Sequence, residues 1–222
     1  MINVHSTYED RKSEIEFYYS VLESMDSADV SISTNDTMLF RIMKSNFILM
    51  LYNMVEATIS TGISEIYEAV KNDHCDYKNV IEEIQNIWRD AQIEQVYRSS
   101  TELKAYTNRV KLLVEHVTSD APLILKKEML HINGNLNARK IKNICDQHRI
   151  RYYVEGDESR MEEVRRMRNM LAHGDESFSQ CARDSTLSDL CKTKDIIISF
   201  LNGIIIGMED YCINKRYLAT VA

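Results

Sequence analysis

The chain has 222 residues, 44% of them hydrophobic and 27% charged, with a formal net charge of −7. That length is enough to bury a sizeable core, and one proline with six glycines leaves too few breakers for a protein of many short strands. The acidic balance excludes a protein that coats nucleic acid over its whole surface.

The five cysteines (Cys75, Cys145, Cys181, Cys191 and Cys212) are odd in number, widely spaced and never arranged Cys-x-x-Cys, and the six histidines lack metal-ligand spacing. Free thiols in a reducing compartment are expected, with no metal site and no cofactor. The polar amino terminus predicts no signal peptide. The most apolar stretch, residues 196–208, is short for a membrane span, so a soluble cytoplasmic protein with no membrane role is expected. The charge is unevenly spread. Residues 121–168 hold eleven Lys/Arg and seven Asp/Glu, whereas the remainder holds sixteen and twenty-seven. A local phosphate-binding surface on an acidic body is therefore allowed.

In chain order, Ile15, Tyr18, Tyr19 and Leu22 predict a first helix over about residues 8–28. The polar run 29–35 reads as a loop, with a helix cap at Asn35 or Asp36. A long second helix follows, because Phe40, Met43, Phe47, Met50, Leu51, Met54 and Thr58 recur at three- and four-residue steps. After a turn at residues 73–76, Val80, Ile84, Ile87, Trp88 and Ala91 mark a third helix. Leu103, Tyr106, Val110, Leu113, Val114 and Val117 repeat that pattern, either as its continuation or as a fourth helix, with Ser99-Ser100-Thr101 as the weak point. Residues 119–158 differ in texture. Pro122, Asn133-Gly134-Asn135 and Gly156 mark turns around a short helix at 136–148, and Arg151-Tyr152-Tyr153-Val154 reads as extended. A helix over about 158–173 stops at Gly174. A loop through Phe178 and Asp184 leads to a last helix, opened by a capping box of Thr186 and Asp189 and apolar nearly all round. The reading is all-α, an antiparallel helical bundle with a short irregular insert around 119–158, forming one domain over 1–222.

The informative segment is Arg165-Arg166-Met167-Arg168-Asn169-Met170-Leu171-Ala172-His173-Gly174. At about 100° per residue, Arg168 falls in the same sector as Met161, Val164, Met167 and Leu171. An arginine on an inward face needs a partner, an interface or a ligand, since an unpaired buried charge is prohibitive. One such partner is Glu56, in an ion pair. His173 lies on another side, at the helix end, where a histidine can also simply face the helix dipole. Spacing alone is weak evidence: among fourteen arginines and six histidines, Arg109 and His116 make a second match. What separates the first is its inward arginine, the polar Asn169 that follows, and the terminating Gly174.

Arg168-Asn169-Met170-Leu171-Ala172-His173 resembles the signature of the HEPN superfamily, whose ribonuclease members carry Arg-polar-x3-5-His. Leu51-Tyr52-Asn53-Met54-Val55-Glu56 resembles an upstream helix of prokaryotic HEPN defence proteins. Residues 134–141 resemble their middle and residues 198–217 their closing helix. The resemblance implies an α-helical bundle that dimerises, bringing two motifs into one cleft. It further implies metal-independent RNA cleavage, often by a toxin or antiviral effector held in check by an antitoxin or other defence-system partner. A toxin subgroup has a modified tyrosine two residues after the histidine; here that position is Asp175, which puts that silencing route in doubt.

The residue types suit the chemistry. Histidine moves protons near neutral pH, and a guanidinium offers paired donors to phosphate oxygens. Arg168, His173 and Asn169 are thus the catalytic candidates, with Asn169 orienting Arg168 or contacting substrate. Glu56, Asn53, Arg165 and Arg166 are supporting or RNA-contacting candidates. The competing reading is a noncatalytic HEPN module that holds a nucleotide or a protein partner in the same cleft.

Overall fold

The computed structural model describes residues 1–27, 34–99, 103–130, 132, 134–154 and 157–219. Among them the fold is all-α: eight α-helices and a 3-10 turn (Lys127–Leu130), with strand pairing confined to two isolated bridges, Asp76 with Pro122 and Val80 with Leu218.

Helix α1 (Ile2–Ser27) runs antiparallel to both of the longest helices, α2 (Thr34–Asn72) and α8 (Leu187–Ile213). Against α2, the Val4 amide meets Glu65 while the Tyr18 hydroxyl meets the Met43 carbonyl. Against α8, His5 pairs with Glu209, Tyr8 donates to Ile198 O and Tyr19 to Leu187 O. The expected start of α1 near residue 8 is too late. Val4 and Tyr8 are buried, and the two carboxylate oxygens of Glu65 accept from the Asn3 and Val4 amides at 3.1 and 3.0 Å. Those amides would otherwise be orphans of the first turn. A cap supplied from sixty residues away leaves no local signature. The run 29–35 lies mostly outside the described residues. Because α2 begins at Thr34, Asn35 and Asp36 sit within the helix rather than ahead of it.

Helix α8 is the core helix its apolar sequence predicts, with the expected Thr186–Asp189 capping box at its start. Along it Ile197, Phe200, Leu201, Ile204, Ile205 and Met208 are buried. Residues 151–154, expected as extended, form no helix and lie directly on α8. A Cβ on Gly203 would stand 1.9 Å from the Tyr153 carbonyl oxygen, and one on Gly207 would stand 1.9 Å from that of Arg151. Only glycine permits this approach. By length and composition both α2 and α8 are long enough to cross a bilayer, a point the short 196–208 run understates. Half or more of the most apolar window of each is buried against neighbouring helices.

The third stretch divides into α3 (Glu82–Ser99) and α4 (Leu103–Thr118); Ser100 and Thr101, part of the expected weak point, lie outside the described residues. Val80, expected in the helix, is buried just before it. The apolar repeat on α4 is only partly a core face. Leu113 and Val117 pack inward, but Tyr106, Val110 and Val114 are 47%, 46% and 56% exposed. Helix α5 (Ala138–His148) opens on Asn137, whose side chain accepts from the Lys140 amide at 2.9 Å. Of the expected turn residues, Asn133 and Gly156 lie outside the described residues.

The loop between α6 (Ser159–His173) and α8 contains a short helix that was expected as coil, α7 (Phe178–Cys181). Its signal was present in Ser177-x-x-Gln180, where Gln180 Oε1 accepts from the Ser177 hydroxyl at 2.8 Å. Helix α2 clamps this loop. Buried Lys44 donates to the carbonyls of Arg183 (2.9 Å) and Ser185 (2.7 Å), and the Ser45 hydroxyl donates to Phe178 O. Burial lowers the Lys44 pKa, and the two carbonyls offset that cost. The chain leaving α6 is thereby tied back to α2.

Candidate active site

Helix α6 buries Met161, Val164, Met167 and Leu171 and ends at Gly174, which takes φ 78°. The Asp175 amide reaches back to Met170 O at 2.9 Å. The carboxyl end of α6 is therefore fixed and exposed, and His173 stands there in solvent. Arg168 lies on the inward side, half-buried.

What meets Arg168 is a loop rather than a carboxylate. Its guanidinium lies over the Tyr52 ring, 4.8 Å from the centroid. Its Nη1 donates to Gly134 O at 2.9 Å and to Asn169 Oδ1 at 3.0 Å. The ion pair with Glu56 is not formed; Glu56 Oε1 instead accepts from the Gly134 amide at 3.0 Å. Both backbone groups of Gly134 are thus gripped, one by α2 and one by α6. Gly134 has φ +60°, and a Cβ there would stand 3.2 Å from both terminal nitrogens of Arg168. Glycine is needed for its backbone angle and for the space beneath the guanidinium.

The same loop carries two further ties. The Tyr52 hydroxyl accepts from the Leu136 amide at 3.0 Å. Asn135 Oδ1 accepts from Arg165 Nη1 and from Asn169 Nδ2, each at 2.9 Å. Arg165 is also paired with Glu162, whose other hydrogen bond comes from Asn137 Nδ2 at 2.8 Å. Burial raises the Tyr52 pKa, so it remains a neutral phenol beneath the cation. The hydrogen bond from Arg165, then that from Asn137, lowers the Glu162 pKa, keeping this carboxylate ionised against its arginine. The outcome is a cation held by one nitrogen. Among the described residues Nη2 and Nε of Arg168 make no hydrogen bond, so three N–H donors on two nitrogens remain for an external acceptor.

The remaining candidates are placed as follows. Arg168, Asn169, Arg165 and Glu56 are joined through residues 134 and 135. His173 shares their helix, five residues beyond Arg168, but no hydrogen bond links the two. Asn53 is exposed and makes no hydrogen bond among the described residues, and Arg166 is exposed with Nη1 on Met170 Sδ. Sequence reasoning did not single out Tyr52, Gly134, Asn135, Asn137 or Glu162. Tyr52 stands four residues before Glu56, which places both on one face of α2; that was the available signal. In the second Arg–His match, both residues contact α3: His116 stacks on Trp88 at 4.7 Å, and Arg109 Nη2 donates to Gln92 at 2.9 Å. His131 lies outside the described residues.

The HEPN_MAE_28990-like HEPN family matches residues 3–217. The chain belongs to this HEPN family. No curated protein and no solved structure matches it. HEPN domains are generally ribonucleases or nucleotide-binding modules, and both activities require a group that holds phosphate. In this HEPN chain the Arg168 guanidinium keeps three N–H donors without a partner among the described residues, and His173 stands exposed at the end of the same helix.

Proposed function

We propose that the chain is a metal-independent endoribonuclease, acting as a homodimer whose two α6 helices share one cleft. The observation that carries this reading is the partial anchoring of Arg168: it is fixed by Gly134, Asn169 and Tyr52, yet keeps the donor pair a phosphate needs. In the reaction the ribose 2′-OH attacks the adjacent phosphorus. The 2′-O–P bond forms and the P–O5′ bond breaks, while His173 takes the 2′ proton and a second histidine, supplied by the other copy, protonates the 5′ oxygen. Arg168 holds the phosphate oxygens as charge builds on them. The nucleophile belongs to the substrate, so no activated water is needed. The products are a 2′,3′-cyclic phosphate and a 5′-hydroxyl. Such an activity suits a toxin or antiviral effector in the cytoplasm, restrained by an antitoxin or defence partner.

The test is cleavage of a single-stranded RNA by purified protein in excess EDTA, with the ends identified by mass. Cyclic-phosphate ends are expected, together with loss of cutting when the 2′-OH at the cut is replaced by hydrogen. Undiminished cutting of that deoxy substrate overturns the chemistry. A monomer in light scattering that still cleaves overturns the shared cleft.

A further inference from the structure

Beside the Arg168 site lies a cleft of about 220 Å³ between α5, the 3-10 turn and the loop that carries Gly134. Its floor is aliphatic, made of Leu130, Ile132, Leu136 and Ile144. Its rim is polar: Lys140, Asn143 and Gln147 come up from α5 at three- and four-residue steps. The side-chain amides of Asn143 and Gln147 make no hydrogen bond among the described residues. Asn135 closes the wall towards α6. That same side chain accepts from Arg165 and Asn169, so the cleft and the arginine site share a residue.

We propose that this cleft is a nucleobase subsite, taking one unstacked base of a single-stranded RNA whose phosphate sits on Arg168; this rests on the ribonuclease reading above. Four features select the ligand. The cleft is smaller than the roughly 300–1,000 Å³ of drug-sized sites, which suits one planar base. The aliphatic floor accepts a π face, while two unpartnered amides, each with a donor and an acceptor, match a base edge. Lys140 stands where it can meet a flanking phosphate. Finally, the neighbouring cleft that shares Leu130 and Gln147 is rimmed by Glu83, Asp90 and Glu94. A phosphodiester chain continuing into it would meet three carboxylates, so the strand enters from the Arg168 side and the base terminates the path. A stacked duplex cannot present a base in this way.

The experiment is equilibrium binding of a fluorescent single-stranded RNA, made uncleavable by 2′-deoxy substitution and scanned with one abasic position at a time. Wild type is expected to show one position where removing the base weakens binding about tenfold. The double variant Asn143→Ala/Gln147→Ala is expected to bind intact RNA about tenfold more weakly and to lose most of that abasic effect. Leu130→Trp, which fills the floor from a half-buried position, should behave alike. Wild-type binding that ignores every abasic position, or variants that retain the full abasic effect, overturns the subsite and leaves the nuclease reading standing. Base-dependent binding without cleavage of the all-ribose strand overturns the nuclease reading and keeps the subsite. Absence of RNA binding overturns both.

Discussion

Two helices of this chain each carry an arginine followed by a histidine, and their surroundings differ in kind. On α4, His116 is stacked on Trp88, and its Nε2 is buried without a partner among the described residues. Arg109 is spent on Gln92 of α3, and the pair holds one helix to another. On α6 the arginine is spent on backbone and an amide through a single nitrogen, and the histidine is left in solvent. The sequence spacing is similar, yet Arg109 and the His116 ring are used in packing α4 against α3, whereas Arg168 keeps N–H donors without a partner among the described residues and His173 faces solvent. Unspent donors on an otherwise fixed cation separate a candidate site from a structural contact more sharply than spacing does.

The largest effect that tests this contrast is on catalysis. Arg168→Ala and His173→Ala are each expected to lower RNA cleavage by at least about 10²–10⁴-fold, with the double variant little worse, because both act on one transition state. Arg109→Ala is expected to cut within a few-fold of wild type. Initial rates on one RNA, with circular dichroism to confirm helicity, decide the matter; the opposite ranking of the two arginines removes the site assignment.

A smaller loss is expected from Gly134→Ala. The new methyl would crowd the Arg168 guanidinium and impose a left-handed angle on a β-carbon residue. A shift of about 1 Å in the arginine is enough for about a hundredfold loss of rate. Wild-type cleavage by this variant would show that the loop does not position Arg168.

The contrast between the two pairs also marks what the sequence could and could not convey. Helix α6 was legible because its apolar spacing, its terminating glycine and the inward place of Arg168 are all local patterns. The contacts that hold Arg168 were not, since Gly134 and Asn135 read as a turn at the head of a family-like segment, with no sign that the fold sets them between α2 and α6. The early start of α1 was hidden for the same reason, its cap coming from Glu65. The apolar repeat on α4 was legible as a helix, but periodicity cannot say whether an apolar face meets a core, and Tyr106, Val110 and Val114 do not. Local chemistry was visible, and long-range partners were not.

His116→Ala sharpens the contrast from the structural side. Removing the ring that stacks on Trp88 is expected to destabilise the protein by about 2 kcal/mol, within the usual range for truncating a packed side chain, while cleavage per folded molecule stays near wild type. Urea unfolding followed by Trp88 fluorescence, beside activity on the same preparation, measures both. A stable but inactive His116→Ala would move the catalytic assignment towards α4.

The smallest effect concerns a third histidine that belongs to neither pair. His148 is buried: its Nδ1 donates to Ile144 O at 2.6 Å, and its Nε2 accepts from the Tyr67 hydroxyl at 2.9 Å. A backbone carbonyl can only accept, which fixes the neutral tautomer, and a second proton on Nε2 would displace the hydrogen bond from Tyr67. Burial pulls the His148 pKa down to about 4, against about 6.5 in an unfolded chain. Below about pH 6.5 the unfolded chain therefore binds a proton that the folded one refuses, so stability falls as the pH drops through that window and this contribution levels off below about 4. Between pH 7 and 5.5 the loss from this one group is about 1 kcal/mol. In the His148→Gln variant the protein is expected to be less stable at pH 7 but to lose that much less on acidification. Parallel stability–pH curves for wild type and variant, measured by urea unfolding at half-unit steps, would mean that His148 takes up its proton in the folded state as readily as in the unfolded one. Burial beside Tyr67 would then not be what holds the His148 ring neutral.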